Sequence, residues 1–228
     1  MVTQGSQVEA QKQAAAERAL QLVRPGMVIG LGTGSTARYF IEGVGRLVAA
    51  GLQVEAVATS ADSRRLAETG GIRLRDRLDQ PLDLTVDGAD EIDPSINCIK
   101  GRGGALLREK IVAHASRRFV VIADEMKLVK RLGRGPVPVE VLPFLWERTS
   151  AGIADLGGRP MLRPGAEGPY RTDNGNFILD VSFGAIDRTL AGALHAIPGV
   201  IEHGLFFGVA HAAIVAGSSG VRIEGDIG

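Results

Sequence analysis

Cysteine is nearly absent from this chain. A single one, Cys98, stands among 228 residues. That excludes an intrachain disulfide framework and fits a reducing compartment. Histidine is sparse too: His114, His195, His203 and His211 are scattered and give no zinc-ligand spacing with one another or with Cys98. An excess of either charge is also lacking. The 26 basic residues are matched by 26 acidic ones, so no global field favours nucleic acid or an anionic membrane. A local group of cations can still hold a phosphate. No apolar run approaches the roughly 20 residues needed to cross a bilayer. Residues 1–22 are polar and rich in Ala and Gln, without the apolar centre of a secretory signal. Together these absences lead us to expect a cytoplasmic globular protein.

Glycine, by contrast, is plentiful, with 31 residues, and most stand where an apolar segment ends. The spacing predicts a first helix over about 8–23, broken by Pro25-Gly26. Met27–Leu31 is too short for a helix and is bounded by glycine, so it reads as a buried strand. Ser35 or Thr36 can cap the helix that follows, through Leu47. A second strand (Val54–Ala58) leads to a helix opened by Ser60. A third strand (Leu82–Asp87) precedes a helix over about 103–116, and Phe119–Ala123 makes a fourth strand. Strands alternating with helices predict an α/β fold with a Rossmann-like, mostly parallel sheet and helices on both faces. After about Leu132 the pattern becomes α+β: a strand at Val137–Val141, a helix to Leu156, a strand at Asn176–Val181 and a helix over about 187–196. Leu205–Ala216 and Gly220–Ile223 read as strands returning to the first sheet. We therefore expect a catalytic α/β unit from 1–132 with 205–228, and a smaller unit from 133–204.

The residues with chemical potential gather at predicted strand ends, where open α/β sheets bind ligands. Gly30-Leu31-Gly32-Thr33-Gly34-Ser35-Thr36 lacks the third glycine of a dinucleotide fingerprint, and no acidic residue ends the second strand. A hydroxyl-rich turn at a helix start fits either a single phosphate or a capped turn without ligand. Asp87-Gly88-Ala89-Asp90-Glu91-Ile92-Asp93 crowds four carboxylates at a strand end. That fits solvated turn acids, a divalent cation, or hydroxyl recognition with proton transfer on a polyol. Lys100-Gly101-Arg102-Gly103-Gly104 stands before a helix carrying Glu109. The glycines allow close backbone approach to an oxyanion, and a solvated Arg108/Glu109/Lys110 face alone has little need of them. Ala123-Asp124-Glu125-Met126-Lys127 adds a lysine at the fourth strand end.

Six segments in order, 32–37, 87–92, 100–110, 138–141 (Pro-Val-Glu-Val), 172–176 (Thr-Asp-Asn-Gly-Asn) and 197–200 (Ile-Pro-Gly-Val), resemble the A-type ribose-5-phosphate isomerases. The resemblance runs from about residue 8 to 223. It implies interconversion of D-ribose 5-phosphate and D-ribulose 5-phosphate in the pentose phosphate pathway, without metal or organic cofactor. By position, it makes Glu109 the base that shuttles a proton through an enediolate. Asp87 and Asp90, with Gly88 and Ala89 between them, become the acids that contact hydroxyls and help open the ring. Lys100, Gly101, Arg102 and Gly103 become the loop that meets the oxyanion. Thr33, Gly34, Ser35 and Thr36 become the turn that takes the phosphate, and Lys127 a further substrate lysine. Arg102 departs from the family, where many members carry glycine. The resemblance also implies a homodimer or homotetramer, with Val141–Trp146 as either a subunit contact or ordinary core. Two competing readings are a non-catalytic sugar-phosphate sensor and an acyl-CoA transferase. No helix-turn-helix segment is apparent for the first and no CoA site for the second.

Overall fold

A computed structural model describes residues 4–227. Residues 1–3 and 228, the outer ends of the first expected unit, lie outside the described residues. The chain runs α1 (Gln4–Leu20), β1 (Val28–Leu31), α2 (Ser35–Ala49), β2 (Glu55–Ala58), α3 (Ala61–Thr69), β3 (Arg73–Leu74), β4 (Leu84–Gly88), β5 (Glu91–Ile92), β6 (Cys98–Ile99), α4 (Leu106–His114) and β7 (Phe119–Asp124). It continues with β8 (Val137–Val141), α5 (Trp146–Asp155), β9 (Arg159–Leu162), the small hairpin β10 (Pro164–Gly165) and β11 (Gly168–Pro169), β12 (Phe177–Ser182), α6 (Arg188–His195), β13 (Val200–His203), β14 (Leu205–Phe206), β15 (Ala212–Gly217) and β16 (Gly220–Gly225). No helix among the described residues is long and apolar enough to cross a membrane.

Seven strands form the main sheet in the order β16-β15-β7-β4-β1-β2-β3. All neighbours are parallel except the edge pair β15 and β16. The strands are short apolar runs because both faces are covered. On β7, Val120 and Ile122 pack against α1 and α2, whereas Phe119, Val121 and Ala123 point to the opposite face with Phe206. The first face carries α1, α2 and α3, and the second carries α4 and a three-stranded sheet, β14-β6-β5. Strand order reverses between β1 and β4. A crevice therefore opens at their carboxyl ends, beside the turns that begin at Gly32 and Gly88.

A four-stranded antiparallel sheet, β13-β8-β12-β9, has its own apolar cluster with Ile153 of α5 and Leu194 of α6. Glu140 sits in the middle of the buried β8 and is fully buried. Its Oε1 accepts from Thr172 Oγ1 (2.9 Å), Asn174 Nδ2 (3.0 Å) and Asn176 Nδ2 (2.9 Å). This is what the Thr-Asp-Asn-Gly-Asn segment does structurally: it brings three donors to one oxygen of a buried carboxylate, while Oε2 is buried without a hydrogen bond.

Three local expectations are corrected. The stretch 205–216 is two strands, not one. β14 pairs with β6, and the chain crosses 207–211 before β15 joins the main sheet. Helix α4 begins at Leu106 instead of 103, because Gly101 (φ 106°) and Gly104 (φ 82°) adopt a backbone that no right-handed helix contains. Helix α2 has Gly34 as its first flanking residue (φ 106°), with no side chain bonded to its N-terminal amides. Ser60 does cap α3, its hydroxyl accepting from Ser63 N.

Phe40 of α2 is fully buried in the first core. Phe40→Ala is expected to cost about 3–5 kcal/mol of stability, read from the shift of the urea unfolding midpoint at constant slope.

Candidate active site

The crevice is bounded by four elements that the sheet brings together. From the β1–α2 turn come Thr33, Gly34, Ser35 and Thr36; after β4 come Gly88, Ala89 and Asp90. Lys100, Gly101 and Gly103 precede α4, Glu109 projects from it, and Lys127 follows β7. Thus twelve of the residues read from the sequence surround one cavity. Two others stand apart from its lining. Asp87 lies directly beneath, and Arg102 is turned away.

Lys100 is the centre of the floor, 2% exposed. Its ammonium donates to Gly88 O at 2.5 Å. Asp87 Oδ2 lies at 3.0 Å and Glu109 Oε2 at 3.3 Å, close enough for ion pairing but off the hydrogen-bonding direction. Asp87 Oδ1 accepts from Thr33 N (2.9 Å) and Gly88 N (2.7 Å). Gly32 is required here, because a Cβ at that position would overlap the Asp87 carboxylate. Asp90, half-buried, accepts from Arg102 N at 2.9 Å.

One ammonium faces two buried carboxylates, so it balances only one of them. Burial pushes Glu109 up to about 8, with the Asp87 charge reinforcing the shift and Lys100 opposing it. Burial also raises Asp87, against Lys100 and the two backbone donors. For Lys100, burial acts against the ammonium, but Asp87 and Glu109 outweigh it and hold the group above the ordinary lysine range. The pair of acids thus keeps a proton near neutral pH, and its titration belongs to both. A carboxyl whose pKa lies near ambient pH is suited to take a proton and return it.

The opposite end of the cavity is different. The exposed Ser35 and the buried Thr36 open α2, whose amides carry no side-chain cap. A helix start of this kind attracts an anion. Lys127, half-buried, has no carboxylate within ion-pair distance among the described residues. The Thr33 hydroxyl, in contrast, is withdrawn into a cluster with Thr59 (2.7 Å), Ser60 (2.8 Å) and Ser63 (3.1 Å). Of the three hydroxyls expected around a phosphate, that of Thr33 is therefore already engaged.

Arg102 corrects the sequence expectation. Its amide is taken by Asp90, and its Nη2 donates to Glu91 Oε1 at 3.1 Å, away from the cavity. Glu91, fully buried, also accepts from the amides of Gly133 (2.8 Å), Arg134 (3.1 Å) and Gly135 (2.6 Å). Although it stands in the 87–93 motif, this acid holds the crossing segment after Leu132. Cys98 is buried, and burial pushes its thiol up to about 12, so it is no nucleophile.

With an unfolded glutamate near 4.5 and the folded one near 8, the folded state binds more protons across that window. Stability then falls as pH rises through it. Glu109→Gln is expected to flatten the fall in Tm between pH 5 and pH 8, leaving the part due to Asp87. A slope equal to that of the unaltered chain would show that Glu109 is not raised.

Comparison with known proteins places this geometry. Residues 55–220 match the family described as ribose 5-phosphate isomerase A (phosphoriboisomerase A). The chain is 52% identical to the ribose-5-phosphate isomerase A of Nitrobacter hamburgensis over 95% of its own length and 97% of the relative's. It is 48% identical to that of Thermomicrobium roseum, over 94% and 93%. Among solved structures, ribose 5-phosphate isomerase A of Methanocaldococcus jannaschii superposes with a TM-score of 0.92 at 39% identity, covering 96% of this chain and 99% of that one. A D-ribose-5-phosphate isomerase in complex with phospho-erythronic acid superposes with a TM-score of 0.93 at 42% identity, over the same shares. The chain belongs to the ribose 5-phosphate isomerase A family.

Proposed function

We propose that this chain interconverts D-ribose 5-phosphate and D-ribulose 5-phosphate through an enediolate, with Glu109 as the proton-carrying base. The observation that carries the reading is the pairing of Glu109 with Lys100 on one side of a cavity whose other side is an uncapped helix start. A phosphate bound at the α2 amides and Lys127 directs the reacting carbons toward Glu109. Asp87 and Asp90 contact the sugar hydroxyls and assist ring opening. Glu109 takes the proton from C2 of the open aldose, and the electrons move to the carbonyl oxygen at C1. The charge that develops there faces the Lys100 ammonium and the glycine-loop amides. The C2 hydroxyl passes its proton to the C1 oxygen, Glu109 delivers the carbon-bound proton to C1, and the electron pair left on the C2 oxygen closes the ketone. General base catalysis contributes about 10²–10⁴-fold and a preorganised oxyanion donor about 10²–10³-fold. These two effects are the ones an enolisation next to a carbonyl requires.

The experiment is direct. Incubation with ribose 5-phosphate in EDTA should yield ketose, and binding without turnover would instead mark a sensor. Glu109→Gln is expected to lower kcat at least about a hundredfold while substrate still binds. Near-normal turnover would remove Glu109 from the role of base. Lys100→Ala should lose turnover as well; a change in thermal stability alone would make Lys100 structural.

We also propose that residues 133–204 form a separate unit through which two or four copies associate. Val141 is core, but the residues after it, Leu142, Phe144 and Leu145, are 42%, 73% and 57% exposed. Three adjacent large apolar side chains in water favour a covering partner. Sedimentation velocity should show a dimer or tetramer, shifted toward smaller species by Phe144→Ser. A monomer at micromolar concentration would overturn this assembly.

A further inference from the structure

Arg163 belongs to no motif, follows β9, and does not line the cavity. Its side chain is nonetheless only 12% exposed. Nε and Nη2 form a fork on the Asp180 carboxylate, at 2.8 and 2.5 Å. Nη1 donates to the carbonyl oxygens of Gly101 (3.2 Å) and Arg102 (3.0 Å). Asp180 lies on β12 between β8 and β9, so the fork is anchored to the middle of the four-stranded sheet. The guanidinium stands 5.6 Å from the centre of the Tyr170 ring, and the Tyr170 hydroxyl lies 3.4 Å from Gly103 O. A Cβ on Gly104 would overlap that hydroxyl. All three carbonyls from Gly101 to Gly103 are therefore held from the same side.

That side determines where the amides point. The peptide joining Arg102 to Gly103 is trans, and in a planar trans peptide the N–H is directed opposite to the C=O. With its carbonyl drawn to Arg163, the peptide directs the Gly103 N–H away from Arg163, and Gly103 itself borders the cavity that Arg163 does not line. The Arg102 amide is tied to Asp90 and the Gly104 amide to Gly101 O, so of these three successive amides that of Gly103 is left as a donor for a ligand. We propose that Arg163 is a positioning residue: by holding the loop carbonyls outward it aims the Gly103 amide at the substrate oxygen that gains charge. This rests on the isomerase reading above. A lysine cannot replace it, because only a planar fork reaches one carboxylate and two carbonyls at once.

The test compares Arg163→Ala and Arg163→Lys with the unaltered protein, using variants whose Tm shows them folded at the assay temperature. Losing one aimed donor is worth about 10²–10³-fold, and misaiming it somewhat less. For both variants kcat is expected to fall about 10- to 100-fold while KM changes less than about threefold, since the phosphate grip is elsewhere. Two inhibitors supply the readout that a merely structural role would not move. Phospho-erythronic acid carries a carboxylate at the reacting end, and ribitol 5-phosphate carries a neutral hydroxyl there. Affinity for the first should weaken in parallel with kcat, and affinity for the second should hold. Equal weakening of both, or kcat within twofold of the unaltered protein, would overturn the proposal. Failure of the unaltered protein to convert ribose 5-phosphate would overturn the isomerase reading instead, which keeps the two failures distinct.

Discussion

The site depends on one buried ammonium. Removing a lysine charge from water costs several kcal/mol unless close partners replace the solvent. For Lys100 the replacements come from three parts of the chain: Gly88 O and Asp87 from β4, Glu109 from α4, and the face of the Phe206 ring at 5.6 Å. Its backbone is fixed as well. Lys100 N donates to Gly204 O at 2.9 Å, and a side chain on Gly204 would overlap the Lys100 carbonyl. Two of these partners, Gly88 and Glu109, also stand in the lining of the cavity. An arrangement with one cation and two acids keeps a mobile proton, and that property suits a reaction which moves a proton between neighbouring carbons.

Two further buried carboxylates show how the surrounding loops are held without entering the chemistry. Glu91 gathers three consecutive amides and the Arg102 guanidinium. Glu140 gathers a hydroxyl and two side-chain amides from Thr172, Asn174 and Asn176. The second cluster reaches α4, because Arg108 donates to Asn174 Oδ1 at 2.8 Å and to Asp173 O at 2.9 Å. It also reaches α3, where Asp173 accepts from Ala61 N at 2.7 Å. Buried acids need donors to offset the loss of water, and each of these two gathers several. Their requirement for donors thereby fixes the walls of the crevice.

Much of this was legible in the sequence, for a definite reason. Parallel strands covered on both faces are short apolar runs, so β1, β4 and β7 declare themselves, and the polar residues that follow them fall at one edge of the sheet. Glu109, Lys100 and the α2 turn were therefore found together by position. What was not legible depends on partners far along the chain. The Thr33 hydroxyl is claimed by Thr59, Ser60 and Ser63, at least 26 residues away. Arg102 is drawn aside by Glu91, itself one of the four acids of the 87–93 motif. Arg163 meets the glycine loop across 61 residues. No local pattern encodes such pairings, although a charged residue inside a buried strand, as at Glu140, signals that donors must arrive from somewhere.

The placement of Glu109 has a last determinant on the far side of its own helix. The next residue, Lys110, is also buried, and its ammonium donates to Glu202 Oε1 and His203 O, both at 2.6 Å. Burial lowers its pKa, with Glu202 opposing the shift. Burial, and then the Lys110 charge, push His203 down to about 4, so it is neutral. Its Nδ1 faces Leu205 N and Lys110 Nζ, both at 3.3 Å, which leaves Nε2–H to donate to Ala191 O at 3.0 Å. His195, Glu202 and His203 lie close enough to hold a metal ion, but Lys110 already occupies the acid between them. The cluster is an anchor for α4. Lys110 stands 4.8 Å from the same Phe206 ring that Lys100 approaches from 5.6 Å. One aromatic ring thus bridges the anchor and the site, and rotation of α4 that moved Glu109 would strip Lys110 of its partners. A base held this way loses little entropy when it reacts, which is the condition preorganised catalysis requires.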